Sequence, residues 1–267
     1  MVRSRNIAAM HDVHPAAAEG FNRGIDTYVR GRPAFPPAAL EWLRDDLGLC
    51  AGSVAVDLGA GTGKFTTLMA HTGAHVIAVE PSAAMLASLV RQLPAITALR
   101  GTAQAIPLAD SSADAVVCAQ AFHWFASRAA LAEIHRVLKP GGVLGLIWNV
   151  RDESVEWVHR LDDIMSPYEG DAPRYYKREW RRVFPAPGFG ELQEREFVHE
   201  HVGPAERVIV DRVASVSFIA ALDEQTRAKV LAEVRSLIAA RPALAAGKEV
   251  RVPYVTRTYW AKRREEA

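Results

Sequence analysis

Two hydrophobic periods alternate along residues 38–150. Short apolar runs bounded by turn residues read as buried strands, and apolar positions three and four apart read as helices. Leu40, Leu43 and Leu47 predict a helix over 38–47, stopped by Gly48. A strand starts at Val54 and closes at Asp57, after which Phe65, Leu68 and Met69 have helical spacing up to Gly73. His75–Val79 is a second strand, ended by Glu80. Pro81 and Ser82 open a helix that buries Met85, Leu86, Leu89 and Val90. Ile96–Leu99 is a weaker third strand and Ala113–Ala119 a fourth. Ser127 is placed to cap a helix carrying Leu131, Ile134, Val137 and Leu138, which Lys139-Pro140-Gly141-Gly142 stops. Val143–Trp148 is a fifth strand. Strands and helices in this order predict βαβ units and a mostly parallel, doubly wound α/β sheet with helices on both faces.

The regular alternation breaks after residue 150. Residues 150–190 hold seven large aromatic residues and four prolines among many charges, which predicts an inserted helical cap. Glu191–Val202 has strand character, Glu206–Ala220 and Asp223–Ala240 read as helices, and Val250–Trp260 as a last strand. Pro253 has no N–H to donate, so pairing of that strand is expected to start after it. The chain therefore divides, within a single domain, into an N-terminal segment (1–47), a core (48–150), a cap (151–190) and a completion of sheet and cap (191–267).

Composition changes this picture little. Of 267 residues, 49% are hydrophobic and 24% charged, with a formal net charge of +1, so no global field argues for nucleic acid or an anionic membrane. No apolar run has the length of a membrane span, and the N-terminus lacks the apolar core of a signal peptide. The two cysteines, Cys50 and Cys118, make neither a disulfide framework nor a zinc site, which fits a reducing cytoplasm. No metal is implied.

The chemistry concentrates in Val54–Phe65, VAVDLGAGTGKF. Glycines at 59, 61 and 63 let a strand turn sharply into a helix and bring bare backbone close to a ligand. Ligands of doubly wound sheets bind beyond the carboxyl ends of the strands, where this loop lies. The spacing D-x-G-x-G-x-G is neither the G-x-G-x-x-G of dinucleotide sites nor a P-loop. Glu80 follows Gly61 by 19 positions, at the end of the next strand, where a carboxylate accepts hydrogen bonds from ribose hydroxyls.

With VEPSAAML at 79–86, GTAQAIPLADSSADAVVCAQAFHWF at 101–125, IHRVLKPGGVLGLIWN at 134–149 and YVRGRPAFPP at 28–37, the chain resembles the class I S-adenosylmethionine-dependent methyltransferases. The likeness is to the group of ubiquinone/menaquinone- and trans-aconitate-type enzymes, and it runs over residues 28–150. It implies a seven-stranded sheet with the last strand antiparallel, an N-terminal clasp and a closing cap. It also implies roles. Gly59, Ala60, Gly61, Thr62 and Gly63 would pack on the methionine and ribose parts of the cofactor, and Asp57 would orient the loop or engage the ammonium group. Glu80 would hold the ribose. Pro81, Met85, Ala103 and Gln104 would line the adenine pocket, while Gln120, Ala121 and Phe122 would wall the methionine side. Tyr28 and Arg32 would form the clasp, with Arg32 reaching the cofactor carboxylate.

His123 and Trp124 stand on the rim beyond the fourth strand, where a methyl acceptor would sit, and His123 is the candidate general base. Asn149 and Arg151 are further rim candidates. The basic run Arg174, Lys177, Arg178, Arg181 and Arg182 is interleaved with aromatics at helical spacing. It reads either as the charged face of an amphipathic helix or as a site for an acidic substrate or RNA phosphates. The implied function is methyl transfer to oxygen, nitrogen or carbon of a small-molecule acceptor by a monomer or homodimer. An RNA methyltransferase, a non-catalytic cofactor-binding protein and a nicotinamide oxidoreductase are the rival readings.

Overall fold

The computed structural model describes residues 30–245 and 249–264. Helix α1 (Ala38–Asp45) leads into β1 (Val54–Leu58), α2 (Lys64–Ala70), β2 (His75–Val79), α3 (Ala83–Gln92) and β3 (Thr97–Leu99). Then follow β4 (Ala113–Ala119), α4 (Arg128–Val137) and β5 (Leu138–Arg151). Seven strands form one sheet in the order β3-β2-β1-β4-β5-β7-β6, where β6 is Gln193–Gly203 and β7 is Val250–Lys262. The first five strands pair in parallel, and β7 runs antiparallel to both β5 and β6.

The strand period of two sorts side chains to the two faces. Val56, Leu58, Val116, Cys118, Leu144 and Leu146 pack with Leu131 and Ile134 of α4 on one face. Ala55, Ala115, Val117 and Ile147 pack with Trp42 of α1 and Phe65 of α2 on the other. Asp57 takes a position of that second face and is completely buried. Caps hold as expected: Ser82 accepts from the Met85 N–H at 3.3 Å, and Ser127 from the Ala130 N–H at 3.1 Å.

A second apolar core involves helix α5 (Glu156–Met165), the segment 206–220, and helix α8 (Glu224–Ala239). It packs on Val250, Val252 and Tyr254 of β7. Because β7 is antiparallel, this end of it lies at the carboxyl ends of the parallel strands, so the second core stands over the loops that carry the chemistry.

Five expectations differ from the structure. Val90, expected on the buried face of α3, is 45% exposed, and β5 starts at Leu138 instead of Val143, so that residues 139–142 belong to the strand. Residues 166–190 are not a helix: they contain only 3₁₀ turns at Ser166–Tyr168 and Glu179–Val183. Pro173, Pro185 and Pro187 deny the segment helical hydrogen bonds, and its aromatics gain more by burial against the sheet. Trp180 lies 4.7 Å from Trp148 and 5.0 Å from Tyr259 between ring centroids, and the Tyr175 and Tyr259 hydroxyls are 2.7 Å apart. Residues 206–220 do not form one helix either. Glu206–Asp211 is a π-turn continued by α6 (Arg212–Ala214), and α7 (Ser217–Ala220) starts afresh. Finally, β7 pairs with β6 from Val250 onward, through Pro253 opposite Glu200, and pairing with β5 begins at Tyr254. The proline is tolerated because β5 has ended there, with the Asp152 N–H donating to the Pro253 carbonyl.

Candidate active site

The loop from β1 to α2 is built on glycines in the left-handed region, with φ 76° at Gly59, 58° at Gly61 and 86° at Gly63. A side chain at Gly59 would place its Cβ 2.8 Å from that of Ala121, so the loop packs directly on the segment after β4. The Gly59 and Ala60 N–H groups donate to the Val79 carbonyl, the Gly61 N–H to Glu80 Oε2 at 2.9 Å, and the Gly63 N–H to the Ala60 carbonyl. Those donors are used inside the protein. They do not form the open nest that a pyrophosphate needs, which removes the physical basis for a nicotinamide dinucleotide.

Two carboxylates are buried beside the loop. Thr66 Oγ1 donates to Asp57 Oδ2 at 2.6 Å, while Asp57 Oδ1 has no partner among the described residues. Burial pushes the Asp57 carboxyl up to about 7, with Thr66 opposing the rise and the Glu80 charge adding to it. Glu80 accepts from Gly61 and, at 2.8 Å, from the Ser82 N–H, and burial raises it also. Each Glu80 oxygen keeps a second lone pair for a ligand hydroxyl. A fixed diacceptor at Glu80 fits a ligand with a ribose, while Asp57, fully buried, braces the loop through Thr66.

The cleft at this loop encloses about 560 Å³ and is lined by Gly59, Ala60, Gly61, Thr62, Lys64 and Phe35, among others. Arg32, Gln120, Asn149 and Arg212 also line it, and the same four line an adjoining chamber of about 720 Å³. His123, Trp124, Arg151, Arg174 and Ser217 belong to that second chamber. The two spaces therefore meet at four side chains. Gln120 holds φ 58° there, an uncommon conformation for a residue with a side chain, and its Nε2 donates to the Asn149 carbonyl at 3.1 Å.

The clasp is anchored from several directions. Lys64 Nζ donates to the Arg32 carbonyl, Asn149 Nδ2 to the Ala34 carbonyl at 3.1 Å, and Arg32 Nη2 to the Ser215 carbonyl at 3.0 Å. Phe35 packs edge-on against Phe65 at 4.7 Å, and Arg30 pairs with Asp211 at 3.3 Å. Tyr28 lies outside the described residues.

Four expected roles change. His123 Nδ1 accepts from the Trp148 indole N–H at 3.0 Å; an indole only donates, so the neutral ring carries its proton on Nε2. Burial, with Arg174 and Arg32 nearby, pushes that imidazole down to about 3. His123 is thus set up as a hydrogen-bond donor, not a base. Phe122 is fully buried, edge-on to Phe125 at 5.6 Å and tilted on Phe184 at 6.0 Å, so its ring is core and not cofactor wall. Asn149 is committed at both ends, since its Oδ1 accepts from Thr256 at 2.6 Å, and it holds the clasp. The basic run is dispersed: Lys177 pairs with Glu169 at 2.8 Å, Arg181 with Glu194 at 3.2 Å, and Arg174 alone among the five lines the chamber.

Met85 is buried, its sulfur 3.8 Å from where a Cβ on Gly61 would stand, and Ala103 is buried within the sheet core. Pro81 and Gln104 are partly exposed at the β2 and β3 ends. Arg151 is ion-paired with Asp162. The sequence reading missed Arg212, Lys64, Thr66 and Ser217. Arg212 had one signal: a lone cation inside the apolar run VIVDRVASV, where an unpaired charge is out of place.

Known proteins resemble this chain over most of its length. A family model described as a methyltransferase domain matches residues 56–146, the stretch from β1 into β5. An uncharacterised methyltransferase-like protein of Schizosaccharomyces pombe, C25B8.10, is 37% identical over 240 residues, covering 90% of this chain and 93% of its own. The uncharacterised methyltransferase Rv3342 of Mycobacterium tuberculosis is 42% identical over 237 residues, 88% of this chain and 92% of its own. Among solved structures, a candidate type II methyltransferase of Anaeromyxobacter dehalogenans superposes with a TM-score of 0.63 at 24% identity, covering 87% of this chain and 97% of that one. The glycine loop, the two buried carboxylates and relatives matching nearly end to end lead to one conclusion: this chain belongs to the class I S-adenosylmethionine-dependent methyltransferases.

Proposed function

We propose that this methyltransferase acts on a small molecule bound in the chamber beside His123 and Trp124. The observation that carries this reading is the junction of the two clefts at Arg32, Gln120, Asn149 and Arg212. S-adenosylmethionine, when bound, supplies an electrophilic methyl on a sulfonium. The chain supplies the rest. Glu80 accepts from the ribose hydroxyls, Asp57 orients the glycine loop from beneath it, and Arg32 takes the carboxylate. Gln120 and Asn149 hold the opening between the clefts, and the His123 Nε2–H orients the acceptor. The clasp and the helical layer exclude water.

Within the chamber His123 is a donor and Asp162 is paired with Arg151, while Glu153, which lines its edge, is pushed up to about 7, chiefly by burial and by its hydrogen bond with Asp162, and is the carboxyl placed to take a proton. Alignment supplies the rest of the rate enhancement, which can be a large part of a displacement barrier. Dispersal of the 174–182 cations into ion pairs speaks against a phosphate-tracking surface for RNA.

Calorimetric titration with S-adenosylhomocysteine tests the donor half of the reading. Tight binding is expected, and Glu80→Ala should weaken it by about 1–3 kcal/mol, the scale for hydrogen bonds to a charged group. An unchanged affinity in that variant would remove Glu80 from the ribose site. Methyl transfer from labelled S-adenosylmethionine to a small-metabolite panel tests the acceptor half; transfer to RNA alone would overturn it.

A further inference from the structure

Among the described residues, two that line the chamber carry buried polar atoms without a hydrogen-bond partner. Arg212 is 9% exposed, and its Nε and Nη1 are shut off from solvent with no hydrogen-bond partner. Ser217, five residues on, is 2% exposed, and its hydroxyl is likewise buried and unpartnered. Both line the chamber, and Arg212 reaches the junction with the donor cleft. Arg174 lines the same chamber from the segment after α5, its guanidinium 5.1 Å above the Phe218 ring and its Nε 3.7 Å from Glu169.

The local charges do not balance Arg212. Arg151 is taken by Asp162, Glu169 is shared by Arg174 and Lys177, and Glu153 is exposed at the chamber's edge. A buried cation without a counter-ion is among the costliest arrangements in a folded protein. Burial and the neighbouring Arg32 and Arg151 push Arg212 down to about 10 against the neutral Tyr254 hydroxyl beside it, and burial with Arg212 and Arg151 does the same to Arg174. Both still carry full charge at neutral pH. Unpartnered donors on two residues that line one space call for a ligand oxyanion.

We propose that the methyl acceptor carries a carboxylate, bound by the Arg212 guanidinium and by the Ser217 hydroxyl, with Arg174 as the second cation. A planar guanidinium presents N–H donors whose fork suits carboxylate oxygens. The π-turn over Glu206–Asp211 shifts the helix register just before Arg212, and such turns recur at functional sites. This assignment deepens the small-molecule reading above and rests on it. The arginine pair selects and orients the acceptor; Arg174 lines the acceptor chamber, and Arg212 stands where that chamber meets the donor cleft.

The test uses the full chain saturated with S-adenosylhomocysteine, titrated calorimetrically with citrate, benzoate and inorganic phosphate. At least one carboxylate is expected to bind, and Arg212→Met, Arg174→Met and Ser217→Ala should each weaken it by about tenfold or more. In Arg174→Met and Ser217→Ala, affinity for S-adenosylhomocysteine itself should stay within about threefold, and the exposed Arg251→Met should change neither. Arg212→Met should also leave the ligand-free melting temperature unchanged or raise it, since it removes an uncompensated buried charge. A purely structural arginine would give a fall. The proposal is overturned if no carboxylate binds, if phosphate binds more tightly than either carboxylate, or if carboxylate binding survives both Arg212→Met and Ser217→Ala. It is overturned equally if Arg212→Met abolishes S-adenosylhomocysteine binding, which would assign that arginine to the cofactor. Failure of the wild type to bind S-adenosylhomocysteine would instead sink the donor-site reading, so the two failures are separable.

Discussion

Asp57 shows how much chemistry one position of a strand can carry. The strand period turns it to the face where α2 supplies Thr66, and burial does the rest. Its carboxyl rises from 3.8 to about 7 in the folded, ligand-free protein. Between those values the native state holds a proton that the unfolded chain has released. The associated stability is therefore present below about pH 4 and lost as pH rises through about 7. Thermal melts from pH 4 to 8 are expected to show the wild type losing stability relative to Asp57→Asn; a constant gap would show that the carboxyl ionises normally. Glu80 and the glycines were legible in the sequence because strand end, loop spacing and carboxylate are all local features. The donor role of His123 was not, because it depends on Trp148, 25 residues away on another strand.

At the scale of elements, the clasp and the π-turn form one unit. Gly31 lies so close to the 206–215 segment that a Cβ on it would stand 2.5 Å from the Asp211 carbonyl carbon and 2.6 Å from the Arg212 nitrogen. Both neighbours are backbone and cannot swing away. Gly31→Ala is therefore expected to undock the clasp while leaving the sheet intact. The melting temperature should change little, S-adenosylhomocysteine should bind about tenfold or more weakly, and hydrogen exchange should quicken in 30–37 and 206–215. Equal protection in variant and wild type would show that the clasp does not depend on this contact. The strands β1 to β4 were legible almost to the residue, since each is an apolar run closed by a turn. The segment 166–190 was not. Its aromatic spacing suits a helix, but prolines forbid one, and the rings are ordered by Trp148 and Tyr259 instead.

For the whole molecule, two cores meet across the site: the sheet with its helices below, and the helical layer over the carboxyl ends above. A ligand lying between them binds the folded state alone and stabilises it by mass action. At about one hundred times its dissociation constant, S-adenosylhomocysteine should add roughly 2.7 kcal/mol and raise the melting temperature by roughly 5–10 °C. Absence of any shift at saturation would argue against a site between the cores. The fold itself leaves the reaction open. The [4+2]-cyclase SpnF superposes with a TM-score of 0.51 at 17% identity, so a likeness at that level shows architecture alone.

The donor side of this protein is written in local sequence. Glycine spacing, Asp57 and Glu80 act through backbone conformation and strand register, which a few neighbouring residues dictate. The acceptor side is assembled from positions far apart in the chain. Arg174, Arg212, Ser217, His123 and Arg32 face one chamber only because an antiparallel last strand carries a second core over the first. Whether an arginine is a solvated charge or a buried anion receptor depends on what else surrounds it. That is a property of long-range packing, and no short stretch of sequence contains it.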